Sequence, residues 1–102
     1  MVTRITEVRP AKAEGLRSGE PVPVEIHYNA EHGGLPLKAT SLTPHFEASL
    51  ACAVAEPGDG NRAAARLVLT RGPRAEGREC LVQFTLGDAR PFEVLFSVEA
   101  PR

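Results

Sequence analysis

Tryptophan is absent from this chain, methionine occurs only at position 1, and the aromatic residues amount to one tyrosine and four phenylalanines. Sugar-binding sandwiches stack their ligands on exposed rings, and here Tyr28, Phe46, Phe84, Phe92 and Phe96 all fall on inward positions of the alternation described below. The core takes the rings, which argues against a stacking platform. Long apolar runs are also lacking: none approaches the roughly 20 residues of a membrane-spanning helix, so no membrane span is expected. Nor does charge of one sign dominate. Twelve Lys and Arg against 13 Asp and Glu leave a net charge of -1, without the basic face that nucleic-acid binders carry. The amino terminus, MVTRITEVRP, has charge at Arg4, Glu7 and Arg9 and no apolar core of a secretory signal, which predicts a cytoplasmic protein.

Cysteine is sparse as well. Cys52 and Cys80 form no Cys-x-x-Cys pair and neither lies beside an obvious histidine, so a nucleophilic role is not expected of them. Both occupy inward positions, so the simplest reading is two buried free thiols, with an inter-sheet disulfide as the alternative in an exported protein. No nucleophile elbow, phosphate loop or dinucleotide fingerprint occurs. The glycines of GDG at 58–60 read as a hairpin turn. No catalytic residue and no cofactor are expected.

What the chain does have is period two, the mark of a strand with one buried face. In PVPVEIHYNA, Val22, Val24, Ile26, Tyr28 and Ala30 alternate with Pro23, Glu25, His27 and Asn29. Cys80, Val82, Phe84 and Leu86 alternate with Glu79, Gln83 and Thr85, and beyond the turn GDARP the apolar positions Phe92, Val94, Phe96 and Val98 repeat the period. These two runs predict a hairpin that pairs Leu86 with Phe92 and Cys80 with Val98.

The middle admits two readings. TPHFEASLACAVAEPG suits a helix around 44–55, with Thr43 as N-cap, Pro44 at the first helical position and a Pro-Gly stop. As a strand, Phe46, Ala48, Leu50, Cys52 and Val54 share one face. The next run, RAAARLVLT, puts Ala63, Ala65, Leu67 and Leu69 on one face. Folding the two together sets Leu50 against Leu67, Cys52 against Ala65 and Val54 against Ala63. Because a slipped register would expose these residues, their coincidence favours strands.

With weaker runs around 2–9 and 35–42, about seven strands are predicted, separated by turn signals at AEGLRSGE, EHGG, PGDG, RGPRAEG and GDAR. That spacing in a single domain predicts an all-β, Ig-like antiparallel β-sandwich over 1–102; the helical alternative for 44–55 gives α+β. GLRSGEPVPVEIHY resembles the Gly-Glu/Asp-x-Val-x-Val approach to the second strand of bacterial Ig-like domains. A similar strand running into a His- and Gly-containing turn occurs, at a different spacing, in the small Ig-like subunit of the bacterial sulfur-carrier complex. Both resemblances imply a fold and leave function to the site.

Two sets of residues are candidates for function. The outward positions of the central hairpin carry Ala51, Ala53, Ala55, Ala64, Arg66 and Val68, where a wet sheet face calls for polar residues. Leu81 and Leu95 are further apolar residues on the outer side of the last hairpin. Apolar patches of this kind mark protein contacts. The expected function is therefore a non-enzymatic interaction or assembly module, with a protein partner or a second copy docking by sheet packing or strand addition. The alternative is a module that binds a small ligand, sugar or metal through its end loops, using His27, His32 and the loop arginines Arg71, Arg74 and Arg78. His27 and His32 lack the spacing of a metal pair, so no metal site is predicted.

Overall fold

The computed structural model describes residues 3–9, 13–31, 33–51, 54–55 and 58–99, with backbone only for 13–14, 54–55 and 58–60. The strands are β1 (Arg4–Arg9), β2 (Ala13–Arg17), β3 (Pro21–Ala30), β4 (Leu35–Ser41), β5 (Phe46–Ala51), β6 (Val54–Ala55), β7 (Gly58–Arg71), β8 (Glu79–Leu86) and β9 (Phe92–Glu99). No helix occurs among the described residues, so the helix considered for 44–55 is corrected to strands β5 and β6. The inward alternation of Phe46, Ala48 and Leu50 prevails over the helical propensity of the alanines, because tertiary packing outweighs a weak local preference.

Two sheets form the protein. The first has strand order β1-β3-β7-β5, the second β2-β9-β8-β4 with the two-residue β6 at its edge. With the edge strands β1 and β2, one in each sheet, counted as a split first strand, the strand order matches the ABED and GFC layout of an immunoglobulin-type sandwich. The neighbours are antiparallel except for β2, which runs parallel to β9.

The inner faces follow from the alternation. Ile5, Val8, Val24, Ile26, Tyr28, Ala30, Phe46, Ala65, Leu67 and Leu69 from the first sheet meet Leu37, Ala39, Cys80, Val82, Phe84, Leu86, Val94, Phe96 and Val98 from the second. No polar or charged side chain is buried among the described residues. The rings of Phe84 and Phe96 lie 6.3 Å apart at 60°, a tilted pair of the kind aromatic rings favour. Cys80 is free and buried; its Sγ lies 3.3 Å from Ser41 Oγ. Burial pushes this thiol up from 9.0, against smaller lowering contributions from Ser41 and Thr43, so Cys80 is a packed group with little nucleophilic character. Cys52 lies outside the described residues.

Several expectations are corrected in detail. Leu50 pairs with Leu67 as predicted, but Val54 pairs with Pro36 and Ala55 with Leu35. The chain therefore changes sheets after Ala51, and Val54 does not face Ala63. In the last hairpin Phe84 pairs with Phe92, Val82 with Val94 and Cys80 with Phe96, two residues from the predicted register. Gly87, with φ 52°, turns the chain while its N–H donates to Pro36 O at 3.0 Å. Leu86 thus stays with β4, opposite Leu37. Gly58–Gly60 opens β7 rather than making a turn, and within AEGLRSGE residues 13–17 form β2.

Candidate functional site

The loop candidates are dispersed. His27 lies on the outer face of the first sheet, opposite Arg62 of β7 and Glu7 of β1. Its Nε2 donates to Glu25 Oε1 at 2.6 Å, and Arg62 Nη1 stands 3.9 Å from the same oxygen. Arg71 is nine residues further along β7, roughly 30 Å at the rise of a strand. There its Nε donates to Gly77 O at 2.7 Å and its Nη2 to Ala75 O at 3.2 Å, so this guanidinium holds its own loop together. Arg78 Nη1 is 3.6 Å from Glu99 Oε2. Arg74 remains exposed, and His32 lies outside the described residues.

The structure adds His45 to this end of the molecule. Its φ of 67° is uncommon for a residue with a side chain. Its carbonyl accepts the Gly72 N–H at 2.6 Å, and a Cβ on Gly72 would stand 2.7 Å from that oxygen. Tight contact between the 42–46 and 72–79 loops therefore requires glycine at 72. Two shallow clefts flank His45, one of about 330 Å³ with Glu47 and Arg74, the other of about 710 Å³ with Glu76, Arg78 and Glu79. Each mixes acid and base, so neither builds a field of one sign. No group of three metal-ligating side chains occurs among the described residues.

The interface candidates separate onto opposite sides of the sandwich. Ala51, Ala64, Arg66 and Val68 lie on the outer face of the first sheet. Arg66 is opposite Ala51 on one side and Pro23 on the other, and Val68 is opposite Ser49 and Pro21. Arg66 has no ion pair among the described residues. Small residues thus surround one cation. Ala53 lies outside the described residues, and Ala55 belongs to β6, on the second sheet.

Leu81 and Leu95 lie on the outer face of the second sheet, directly opposite one another. Leu42 joins them. Thr40 pairs with Gln83 and Ser41 with Val82; the Leu42 N–H then donates to Leu81 O at 2.8 Å, continuing the ladder one residue past β4. The Leu81 N–H in turn donates to Thr43 Oγ1 at 2.9 Å. Leu42 and Leu95, 46% and 45% exposed, are the large hydrophobics counted as exposed among the described residues, and both belong to this one row. Polar residues border it: Thr40, Gln83 and Glu93 above, Glu79 and Ser97 below. Leu42 was absent from the sequence-based candidates. Its signal was parity, since Lys38, Thr40 and Leu42 occupy successive outward positions and the third is apolar.

Fold and surface together define a small all-β sandwich whose exposed large hydrophobic residues, among the described residues, lie together on one sheet face. No protein-family model matches the chain, and no curated protein matches its sequence. Of what the two resemblances implied, the structure supports the all-β architecture of two packed sheets.

Proposed function

We propose that this protein is a non-enzymatic interaction module that docks through the outer face of its second sheet. The observation that carries the reading is the row Leu42–Leu81–Leu95, which crosses β4, β8 and β9 inside a polar border. An apolar centre with a polar rim is the anatomy of a protein interface, and exposed apolar residues that cluster mark contact surfaces where scattered ones do not. This reading moves the main contact from the expected 46–55/62–70 hairpin to the β4–β8–β9 face. Large side chains there have more area to withdraw from water than alanines do. A ligand site at the end loops has less behind it, because Arg71, Arg78 and His27 are already engaged by Gly77, Glu99 and Glu25.

The test is affinity capture from extract of the source cells, with immobilised wild type beside the Leu81→Lys/Leu95→Lys variant. Proteins retained by the wild type should fall at least about tenfold on the variant, the loss expected when a central interface anchor is removed. Circular dichroism should show both chains equally folded. Equal retention by the two would overturn the reading.

A further inference from the structure

Resting on that reading, we infer that the occupant of the leucine face is a second copy of this chain, presenting the outer face of its first sheet. The argument is charge complementarity around matching apolar centres. Beside the leucine row stand Glu79 and Glu93, neither with an ion pair among the described residues, so the apolar centre of this face is flanked directly by negative charge. The first sheet offers the converse. Arg66, without an ion pair among the described residues, sits among Ala51, Pro23, Ala64 and Val68, a low-relief surface around one positive charge. The acid of β5 on this face, Glu47, stands opposite Thr70, four residues along β7 from Arg66. Arg9 and Arg62 extend it, partly offset by Glu7 and Glu25.

A two-fold contact of the leucine face with itself lacks this match. It brings Glu79 and Glu93 of both copies into one interface. The cations on that side among the described residues are Arg78, already beside Glu99, Arg17 of the edge strand β2, already beside Glu20, and Lys38, four residues along β4 from Leu42. Opposed like charges in an interface are costly. Size permits the front-to-back arrangement, since the molecule measures 43 × 20 × 19 Å and each broad face has room for the roughly 800 Å² per partner of a standard interface. A front-to-back contact is heterologous. Each copy keeps one free face of each kind, so assembly continues into a ring or an open stack.

Two exposed substitutions test this on the intact chain: Leu95→Lys spoils the leucine face, and Arg66→Glu spoils the arginine face. Light scattering coupled to size exclusion, over about a hundredfold range of concentration, reads the mass, with thermal midpoints confirming that all chains are folded. The wild type should grow beyond a dimer as concentration rises, while each variant alone stays at the 10.9 kDa of one chain. Mixed in equal amounts, the variants should form a one-to-one dimer and stop. Arg66→Glu still carries an intact leucine face, Leu95→Lys still carries an intact arginine face, and their dimer has no usable face left. A mixture that remains monomeric overturns the inference, as does a wild type that is monomeric at every concentration. An Arg66→Glu chain that dimerises alone overturns it too, in favour of the two-fold contact. In that last case docking through the leucines survives. With a monomeric wild type, docking is decided separately by the capture experiment.

Discussion

The two outer faces of this sandwich are built on the same alternation and have come to opposite characters. On the first sheet the outward positions hold a short electrostatic chain, in which His27 donates to Glu25, the guanidinium of Arg62 stands 3.9 Å from the same carboxylate and Arg9 pairs with Glu7. Apart from these stand Arg66 and its small neighbours. On the second sheet the outward positions hold leucines at the centre and glutamates beside them. The inner faces cannot diverge in this way, because each must fill the same dry layer. An outer position is free of that demand, so its residue reports what the surface meets. The difference teaches where to look for a partner.

The experiments that break or sharpen this comparison begin with the inner face, where the two sheets should behave alike. Phe84→Ala removes a ring with no exposure that packs against Phe96. It should cost about 3–5 kcal/mol in chemical denaturation, and Leu67→Ala on the opposite sheet should cost about 2–5 kcal/mol. Next in size is the point where the chain leaves β4 for β5. Gly72→Ala places a Cβ 2.7 Å from His45 O, a backbone atom that cannot swing aside, and should cost about 1–3 kcal/mol as other overpacked sites do. A Gly72→Ala chain as stable as wild type would show the two loops to be independent.

Cys80 sharpens the contrast between the two sides of one strand, since it points inward beside the outward Leu81. Burial raises its pKa above 9.0, so the folded chain holds the thiol proton more tightly than the unfolded chain does. The resulting stability is fully present below pH 9 and is lost as pH climbs through the folded value. Denaturation midpoints should therefore fall more steeply above pH 9 in wild type than in Cys80→Ala. Parallel curves would mean that the thiol is reached by water.

Parity was legible in the sequence, and pairing was not. Alternation placed Val24, Ile26 and Tyr28, Leu67 and Leu69, and Val82 and Phe84 inward, as they are. It was weak in β1 because of a bulge: register shifts between Ile5 and Glu7, so the inward residues Ile5 and Val8 stand three apart instead of two or four. A bulge inserts one residue and breaks the period. Strand β2 was read as a turn because its glycine and charges resemble one, and its parallel pairing with β9 has no local signature. The leucine row shows the same limit. Leu81 and Leu95 could be placed outward by parity, yet the predicted register made them diagonal neighbours, and the hold of β4 on Leu86 and Gly87 brings them opposite. Leu42 could be recognised as their neighbour only once β4 was known to pair with β8.

The smallest effects discriminate most sharply between the two outer faces. Glu25→Gln leaves His27 an acceptor and removes only a partly exposed charge from the first sheet, so it should change stability by no more than about 0.5 kcal/mol. That difference should shrink between low salt and about 1 M salt, where the screening length falls to about 3 Å. Leu95→Thr on the second sheet should also stay within about 0.5 kcal/mol, as surface substitutions away from special features do, but with no dependence on salt, since it removes no charge. Urea denaturation at both salt concentrations measures the pair; urea, being uncharged, leaves screening to the salt. At a concentration where the wild type is monomeric, so that association adds nothing to its stability, a cost well above about 1 kcal/mol for Leu95→Thr would mean that the leucine is holding the fold rather than waiting for a neighbour. The exposed row would then be a structural brace across β8 and β9, and the two outer faces would differ in how they stabilise the chain, with no bearing on what it binds.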